Sequence, residues 1–204
     1  MNRDPGSRVA GIVLAAGRSS RMAPRNKLVE LIEGEPVVRR VAAVAVTSDA
    51  SPIVVVTGHD AAAVENALRG LDVTITFNPG YGDGLSASLR AGLRALPPNV
   101  DGALVLLGDM PNVEAATLRS LIAVFTGAEA ICVPVHQGRR GNPVLWGSRW
   151  FAEMMEISGD IGAKSLMARH NARVIEVEVA TNSIFADVDT PADFALITPS
   201  GGAG

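Results

Sequence analysis

The sequence predicts a three-layer α/β/α fold around a mostly parallel sheet, and three observations carry that expectation. Short apolar, β-branched runs alternate with helical patterns of about ten residues, the signature of βαβ units with right-handed crossovers. Hydrophobic residues make up 48% of the chain and aromatics only 4%, so the core must be built from Ala, Val, Leu and Ile, the usual filling of strands buried on both faces. The first apolar run, Val9 to Leu14, ends at Ala15-Ala16-Gly17, where side chains almost vanish and a cluster of cations begins. Ligands of such sheets bind outside the carboxyl ends of the strands, which makes that turn the first candidate site.

The elements follow in order. Val29 to Glu35 reads as a connection turning at Glu33-Gly34. Pro36 then opens a helix with Val37, Val38, Val41, Val44 and Ala45 inside and Arg39 and Arg40 outside. Ile53 to Thr57 is a second strand, and Asp60 is the expected N-cap of a helix over Ala61 to Leu68, which leaves His59 in a loop. Gly70 ends that helix, and Val73 to Phe77 is a third strand. Val105-Leu106-Leu107 is the most apolar strand, and Asn112 is expected to cap a helix from Val113 to Phe125. Ala130 to Val135 extends the sheet, His136 to Pro143 reads as a polar loop, and Trp146, Trp150 and Phe151 are expected to wall a pocket or a subunit contact. Lys164 to His170 reads as a helix and Val174 to Val179 as a strand with one solvated face. Thr190, Pro191 and Asp193 fall at N-cap, N1 and N3 of a last helix, before a tail over Thr198 to Gly204.

A chain of 204 residues suits one α/β domain, 1–204 with its core at 8–197, and is short for two. A net charge of -3 and a pI of about 5.6 argue against a nucleic-acid partner held on a basic surface. The single cysteine, Cys132, lies in an apolar run, so no disulfide framework is expected. With no apolar leader and no run approaching the ~18 residues of a membrane span, the expected location is cytoplasmic, without a membrane partner.

Four segments carry chemistry. Arg18, Arg21, Arg25 and Lys27, spaced by Ser19, Ser20 and Asn26, follow the bare backbone of Ala16-Gly17, an arrangement suited to polyphosphate. Asn78-Pro79-Gly80-Tyr81-Gly82-Asp83-Gly84-Leu85-Ser86-Ala87-Ser88-Leu89 is a glycine-rich loop running into a helix, with Ser86 as the alternative, purely structural N-cap. Asp109, between Gly108 and Met110-Pro111, places a carboxylate at a strand tip where Mg²⁺ would bridge it to phosphates; taken alone it reads better as a turn-capping residue, and the first segment tips the reading to the metal. Asp187 and Asp189, two apart on an extended segment, would point the same way and supply a second metal contact.

Together these segments resemble the MobA-like nucleotidyltransferases, and most closely the molybdenum cofactor cytidylyltransferases. Leu14-Ala15-Ala16-Gly17-Arg18-Ser19-Ser20-Arg21-Met22 with Lys27, Asn78-Pro79 with Gly84 and Ser88-Leu89, Leu107-Gly108-Asp109-Met110-Pro111, Gly141-Asn142-Pro143-Val144-Leu145, Ser158 to Lys164, and Asp187-Val188-Asp189-Thr190-Pro191 with Asp193 match the family's pattern. It departs at Ala23-Pro24, where the family usually has Gly. Members resembling guanylyltransferases carry Leu-Ala-Gly-Gly in the first loop, against Ala15-Ala16-Gly17 here.

The resemblance implies a Rossmann-like, GT-A-like fold and transfer of CMP from CTP to molybdopterin with release of pyrophosphate. Mg²⁺ is the implied ion, with Mn²⁺ as a substitute, and a molybdoenzyme or its maturation factor is a candidate partner. Arg21, Lys27 and Asp109 are the implied catalytic residues. Leu14, Ala15, Ala16, Gly17, Arg18, Lys27, Asn78, Gly84, Ser88 and Asp109 would bind nucleotide; Asp109, Asp187 and Asp189 metal; Gly141, Asn142, Pro143, Gly159 and Asp160 the acceptor. Arg139 and Arg140 would either meet an acceptor phosphate or form an exposed pair without a target. Three alternatives stand: another phosphate acceptor or GTP as donor; an NAD(P)H-dependent oxidoreductase on the same fold, disfavoured because no Gly-x-Gly-x-x-Gly follows the first strand; and a non-catalytic nucleotide-binding module.

Overall fold

A computed structural model describes residues 7–19, 22, 25–159, 163–190 and 192–194. In chain order its elements are β1 (Val9–Ala15), a hairpin of β2 (Leu31–Ile32) and β3 (Glu35–Pro36), α1 (Val37–Val46), β4 (Ile53–Thr57), α2 (Ala61–Ala67), β5 (Thr74–Phe77), α3 (Leu85–Arg94), β6 (Gly102–Leu107), α4 (Ala115–Ala123), β7 (Ile131–His136), β8 (Arg139–Arg140), β9 (Val144–Gly147), α5 (Phe151–Glu156), α6 (Lys164–Arg169) and β10 (Val174–Glu178). The sheet runs β10-β7-β9-β6-β1-β4-β5, with β8 added to β7. It is mostly parallel: β1 lies between β4 and β6, parallel to both, while β9 runs antiparallel between β6 and β7.

The two faces of β1 explain the three layers. Val9, Val13 and Ala15 join α1, α2 and α4 in one core, while Ile12 and Leu14 join α3, α5 and α6 in the other, the period-two alternation of a strand buried on both sides. Each fully buried Ile or Val contributes about 1.5–3 kcal/mol relative to exposure, so a polar residue anywhere in this strand would be costly.

The register places the site. Ala15 lies opposite Thr57, Thr57 opposite Phe77, and Leu14 opposite Leu107, so four parallel strands end along one edge. The loops at 16–19, 58–60, 78–84 and 108–110 are therefore neighbours. Because β9 starts beside the carboxyl end of β6, with Val144 opposite Val105, segment 141–143 reaches the same edge.

Several expectations need correction. Asp60 precedes α2, but its backbone is left-handed and its side chain caps nothing; its Oδ2 instead accepts from Asn26 Nδ2 at 3.4 Å. α4 starts at Ala115 behind Glu114, not behind Asn112, because residues 110–113 close a turn through the Val113 N–H and the Met110 carbonyl. Ser86 is not a cap either: it lies within α3, behind Gly84, and its Oγ accepts from Arg90. The polar segment 136–143 contains β8, returned onto β7 by Gln137 (φ 51°) and Gly138 (φ 74°), the two left-handed positions of a tight hairpin turn. Trp146 and Trp150 are buried in the α3 core, where β9 and α5, both missed in the sequence, carry the chain. The Thr190 and Asp193 pair does cap: the Asp193 carboxylate accepts from the Thr190 N–H at 2.7 Å, and the Thr190 hydroxyl accepts from the Asp193 N–H at 3.3 Å. Among the described residues no helix is long and apolar enough to cross a membrane.

Candidate active site

At the carboxyl edge of the sheet lies an open cleft of about 410 Å³, lined by Leu14, Ala16, Gly17 and Arg18 from the first loop, by Tyr81, Gly84 and Ser88 from the glycine-rich segment, and by Lys27, Asp109 and Asp189. A Cβ added at Gly17 would meet no atom within 4 Å, so the main chain there borders open space in the cleft. Gly84 lets the loop enter α3 with φ 90° and ψ −178°, a conformation L side chains rarely adopt, and so sets Ser88 at the cleft.

Lys27 is at the centre. Its ammonium lies 2.6 Å from Asp109 Oδ2 and 2.6 Å from Asp189 Oδ1, with side-chain exposures of 12%, 21% and 29% for Lys27, Asp109 and Asp189. Burial acts to lower its pKa, but the Asp109 charge and hydrogen bond, followed by those of Asp189, outweigh it, and the ammonium is held above its ordinary value. The loop carrying it is tied by Asn26, which is buried: Asn26 Oδ1 accepts from the Ser19 hydroxyl at 3.2 Å and the Leu28 N–H at 3.1 Å, while the Lys27 N–H donates to Ser19 Oγ at 3.2 Å. In the sequence Ser19 and Asn26 read only as spacers between cations; the structure makes them the brace of the loop.

One oxygen of Asp109 is engaged by Lys27. The other, Oδ1, is buried without a hydrogen-bond partner among the described residues. An orphaned carboxylate oxygen beside a polar cleft is the donor a hard divalent cation takes, so the residues present fit such an ion. Among the described residues no group of three or more His, Cys, Asp or Glu side chains could by itself hold a metal.

Of the residues expected to bind nucleotide, Leu14, Ala16, Gly17, Arg18, Lys27, Gly84, Ser88 and Asp109 line the cleft. Ala15 is fully buried at the end of β1, and Asn78 lies beneath its own loop, donating to Ser88 Oγ at 3.2 Å and accepting from the Gly80 N–H at 3.0 Å. Asn78 therefore shapes the loop from below. Tyr81 was missed, although an aromatic among glycines was a usable signal; its ring lies 5.7 Å from the Arg18 guanidinium and 6.0 Å from the His59 ring. Arg21, Ala23, Pro24 and Asp160 lie outside the described residues.

A second cavity, of about 570 Å³, adjoins the cleft at Leu107 and is lined by Met110, Val133, Arg139, Arg140, Gly141, Asn142, Val144, Phe185 and Asp187. Asp187 and Asp189 thus line different cavities, contrary to the expectation that they point the same way. Segment 186–189 is not a strand, so the period-two rule does not apply. The Val188 N–H between them donates to the Asp109 carbonyl at 2.9 Å, fixing the segment as the wall between the cavities. Gly159 and Pro143 do not line the second cavity.

An α/β sheet with a charged cleft at its carboxyl edge and a second cavity beside it is the architecture of an α/β protein that binds its ligands outside the strand ends. The chain belongs to the MobA-like NTP transferase domain family, whose pattern is matched over residues 11–174, and it is a nucleotidyltransferase. It is 26% identical over 199 residues to the purine catabolism protein PucB of Bacillus subtilis, covering 92% of this chain and 94% of that one. It is 25% identical over 184 residues to the molybdenum cofactor cytidylyltransferase of Escherichia coli, covering 90% and 92%. Its 35% identity to the bifunctional protein GlmU of Acidovorax ebreus extends over 147 residues, 67% of this chain but only 29% of that protein. Among solved structures, a nucleotidyl transferase from Methanothermobacter thermautotroptrophicus superposes with a TM-score of 0.83 at 28% identity, covering 94% of this chain and 96% of that one. Rv0371c of Mycobacterium tuberculosis, solved in complex with manganese, gives 0.79 at 30%, covering 95% and 100%.

Proposed function

We propose that the protein transfers a cytidylyl group from CTP to the phosphate of a molybdopterin-type acceptor. An acceptor phosphate oxygen attacks the α-phosphorus, the bond from the α-phosphorus to the bridging oxygen breaks, and pyrophosphate leaves with that electron pair; no covalent enzyme intermediate is needed. The observation that carries this reading is the pairing of two cavities: the bare backbone and cations of the first suit a triphosphate, and the second opens onto it at Leu107. The likeness to the cytidylyltransferase over most of both chains, and the Ala15-Ala16-Gly17 loop, support CTP as donor.

Such chemistry is mostly positioning and charge neutralisation. In this reading Gly17 offers its N–H to a phosphate oxygen, Lys27 offsets charge on the departing pyrophosphate, Arg21 and Arg18 help hold the triphosphate, and Ala16, Tyr81 and Ser88 shape the nucleoside site. Asp109, with Asp189 or Asp187, would hold Mg²⁺ or Mn²⁺, which when bound neutralises phosphate charge. Gly141 and Asn142 would bound the acceptor. A second reading keeps the transfer and changes the acceptor, since PucB covers this chain as fully as the cytidylyltransferase does.

Mass spectrometry after incubation with CTP, Mg²⁺ and molybdopterin tests the proposal. Molybdopterin cytosine dinucleotide and pyrophosphate are the expected products. Turnover of CTP with a different phosphate ester, and none with molybdopterin, would select the second reading.

A further inference from the structure

Arg139 and Arg140 are neighbours on β8 and both line the second cavity, but their partners differ. Arg140 is committed to the protein: its Nε donates to Glu176 Oε1 at 2.7 Å and its Nη2 to Asn171 Oδ1 at 2.8 Å, tying the hairpin to β10 and the turn before it. Arg139 makes no ion pair among the described residues. Its guanidinium carbon lies 4.5 Å from the centroid of the Phe185 ring, on the wall of the second cavity.

That ring is itself fixed. The His136 ring lies against it at 6.4 Å, and His136 Nδ1 is hydrogen-bonded to the Val179 carbonyl at 2.9 Å. The preceding residue is clamped as well: the Asn142 N–H donates to the Ile184 carbonyl at 3.0 Å, and a Cβ on Gly141 would come within 2.6 Å of that oxygen. A guanidinium resting on a rigid aromatic ring keeps its N–H edge free for a planar, charge-assisted grip on phosphate. Asp187, on the same wall, forms no ion pair with it among the described residues.

We infer that Arg139, braced on Phe185, is the specificity-determining cation that receives the acceptor's phosphate, and that Arg140 is a strut of the sheet edge. The assignment rests on the acceptor reading above and divides the work between two residues the sequence could not tell apart.

The test compares Arg139→Gln, Arg139→Lys, Arg140→Gln and Phe185→Leu in the full chain. With CTP and molybdopterin, Arg139→Gln is expected to raise the acceptor KM roughly 10- to 100-fold, the loss of a charge-assisted hydrogen bond, with the KM for CTP unchanged. Arg139→Lys should recover part of this, Phe185→Leu should move the same way to a smaller extent, and Arg140→Gln should act on Tm. Equal shifts of acceptor KM in both arginine variants, or a shift in the KM for CTP instead, would overturn the inference. Should wild type make no product with molybdopterin, the acceptor reading fails, and a second arm decides this one: phenylglyoxal modification mapped by mass spectrometry, with and without inorganic phosphate. Protection of Arg139 and not of Arg140 supports the assignment. Equal protection, or none, overturns it.

Discussion

The Lys27 ammonium lies 2.6 Å from Asp109 Oδ2, joining residues 82 positions apart, and the same nitrogen reaches Asp189. One cation holds together the three segments that close the cleft. All three side chains keep some solvent contact, so removing the ammonium costs about 1–2 kcal/mol, below the roughly 3–5 of a fully buried pair. Lys27→Ala should therefore fold with a lower Tm, and Mg²⁺ should raise that Tm more than it raises the wild type's, because Asp109 and Asp189 lose the ammonium they share. Kinetically, kcat should fall roughly 100-fold with little change in the KM for CTP, the mark of an interaction stronger in the transition state. A defect confined to KM would make Lys27 a docking group only.

Asp109→Asn keeps the shape of the side chain and removes its charge. Lys27 retains Asp189, so the fold should survive with an unchanged circular dichroism spectrum. The orphaned Oδ1 loses most of its value as a donor to a hard cation, and turnover should fall at least about 100-fold. Wild-type turnover at saturating Mg²⁺ would remove Asp109 from the mechanism.

Much of this site was readable in the sequence because its parts are local. A strand running into Ala-Ala-Gly, a strand ending in Gly-Asp-Met-Pro and a Gly-rich loop each announce a βα turn, and the rule for parallel sheets gathers them at one edge. What stayed hidden depends on partners far along the chain. Asp60 follows the N-cap pattern, yet its carboxylate turns to Asn26, 34 positions away. β8 and β9 are too short for periodicity to show; β9 exists as a strand because it fills the gap between β6 and β7, and β8 because a tight turn folds it back onto β7. Arg139 and Arg140 look equivalent until their partners are seen, Phe185 for the first and Glu176 with Asn171 for the second.

Cys132 should be inert. It is fully buried on β7, and burial pushes its thiol up to about 12, so almost no thiolate exists at pH 8. A disulfide reagent added to native protein should give no colour until denaturant is added. Reaction within minutes in the native state would contradict the burial of β7.

Gly92→Ala should destabilise the protein although Ala favours helix by about 1 kcal/mol over Gly. A Cβ there would lie 2.6 Å from Ile12 Cγ2 and 3.1 Å from Val56 Cγ2, forcing α3 away from the sheet at a cost of roughly 1–3 kcal/mol. Because α3 also carries Ser88 into the cleft, the KM for nucleotide should rise alongside the fall in Tm. Raised Tm would mean that the helix and sheet are further apart than this.

The choice of base turns on Ala16. Ala16 is 2% exposed yet lines the cleft, packed so close to Gly58 that a Cβ there would fall 2.7 Å from its own. If the base lies against this residue, as proposed above, removing the methyl gives a purine's larger ring system more room. One methyl in a pocket discriminates by roughly 1 to 3 kcal/mol, so wild type should prefer CTP by about ten- to two-hundred-fold, and Ala16→Gly should raise kcat/KM for GTP relative to CTP. Gly58→Ala is the control for a merely displaced loop. Its Cβ would fall 2.7 Å from Ala16 Cβ and 2.6 Å from Tyr81 Cβ, displacing both residues with the Ala16 methyl retained, so both nucleotides should weaken without the gain for GTP that loss of the methyl brings. Steady-state kinetics with both nucleotides against one acceptor separates the two effects. If wild type prefers GTP, or Ala16→Gly leaves the ratio where it was, Ala16 does not select the base and the case for CTP loses its support from the first loop.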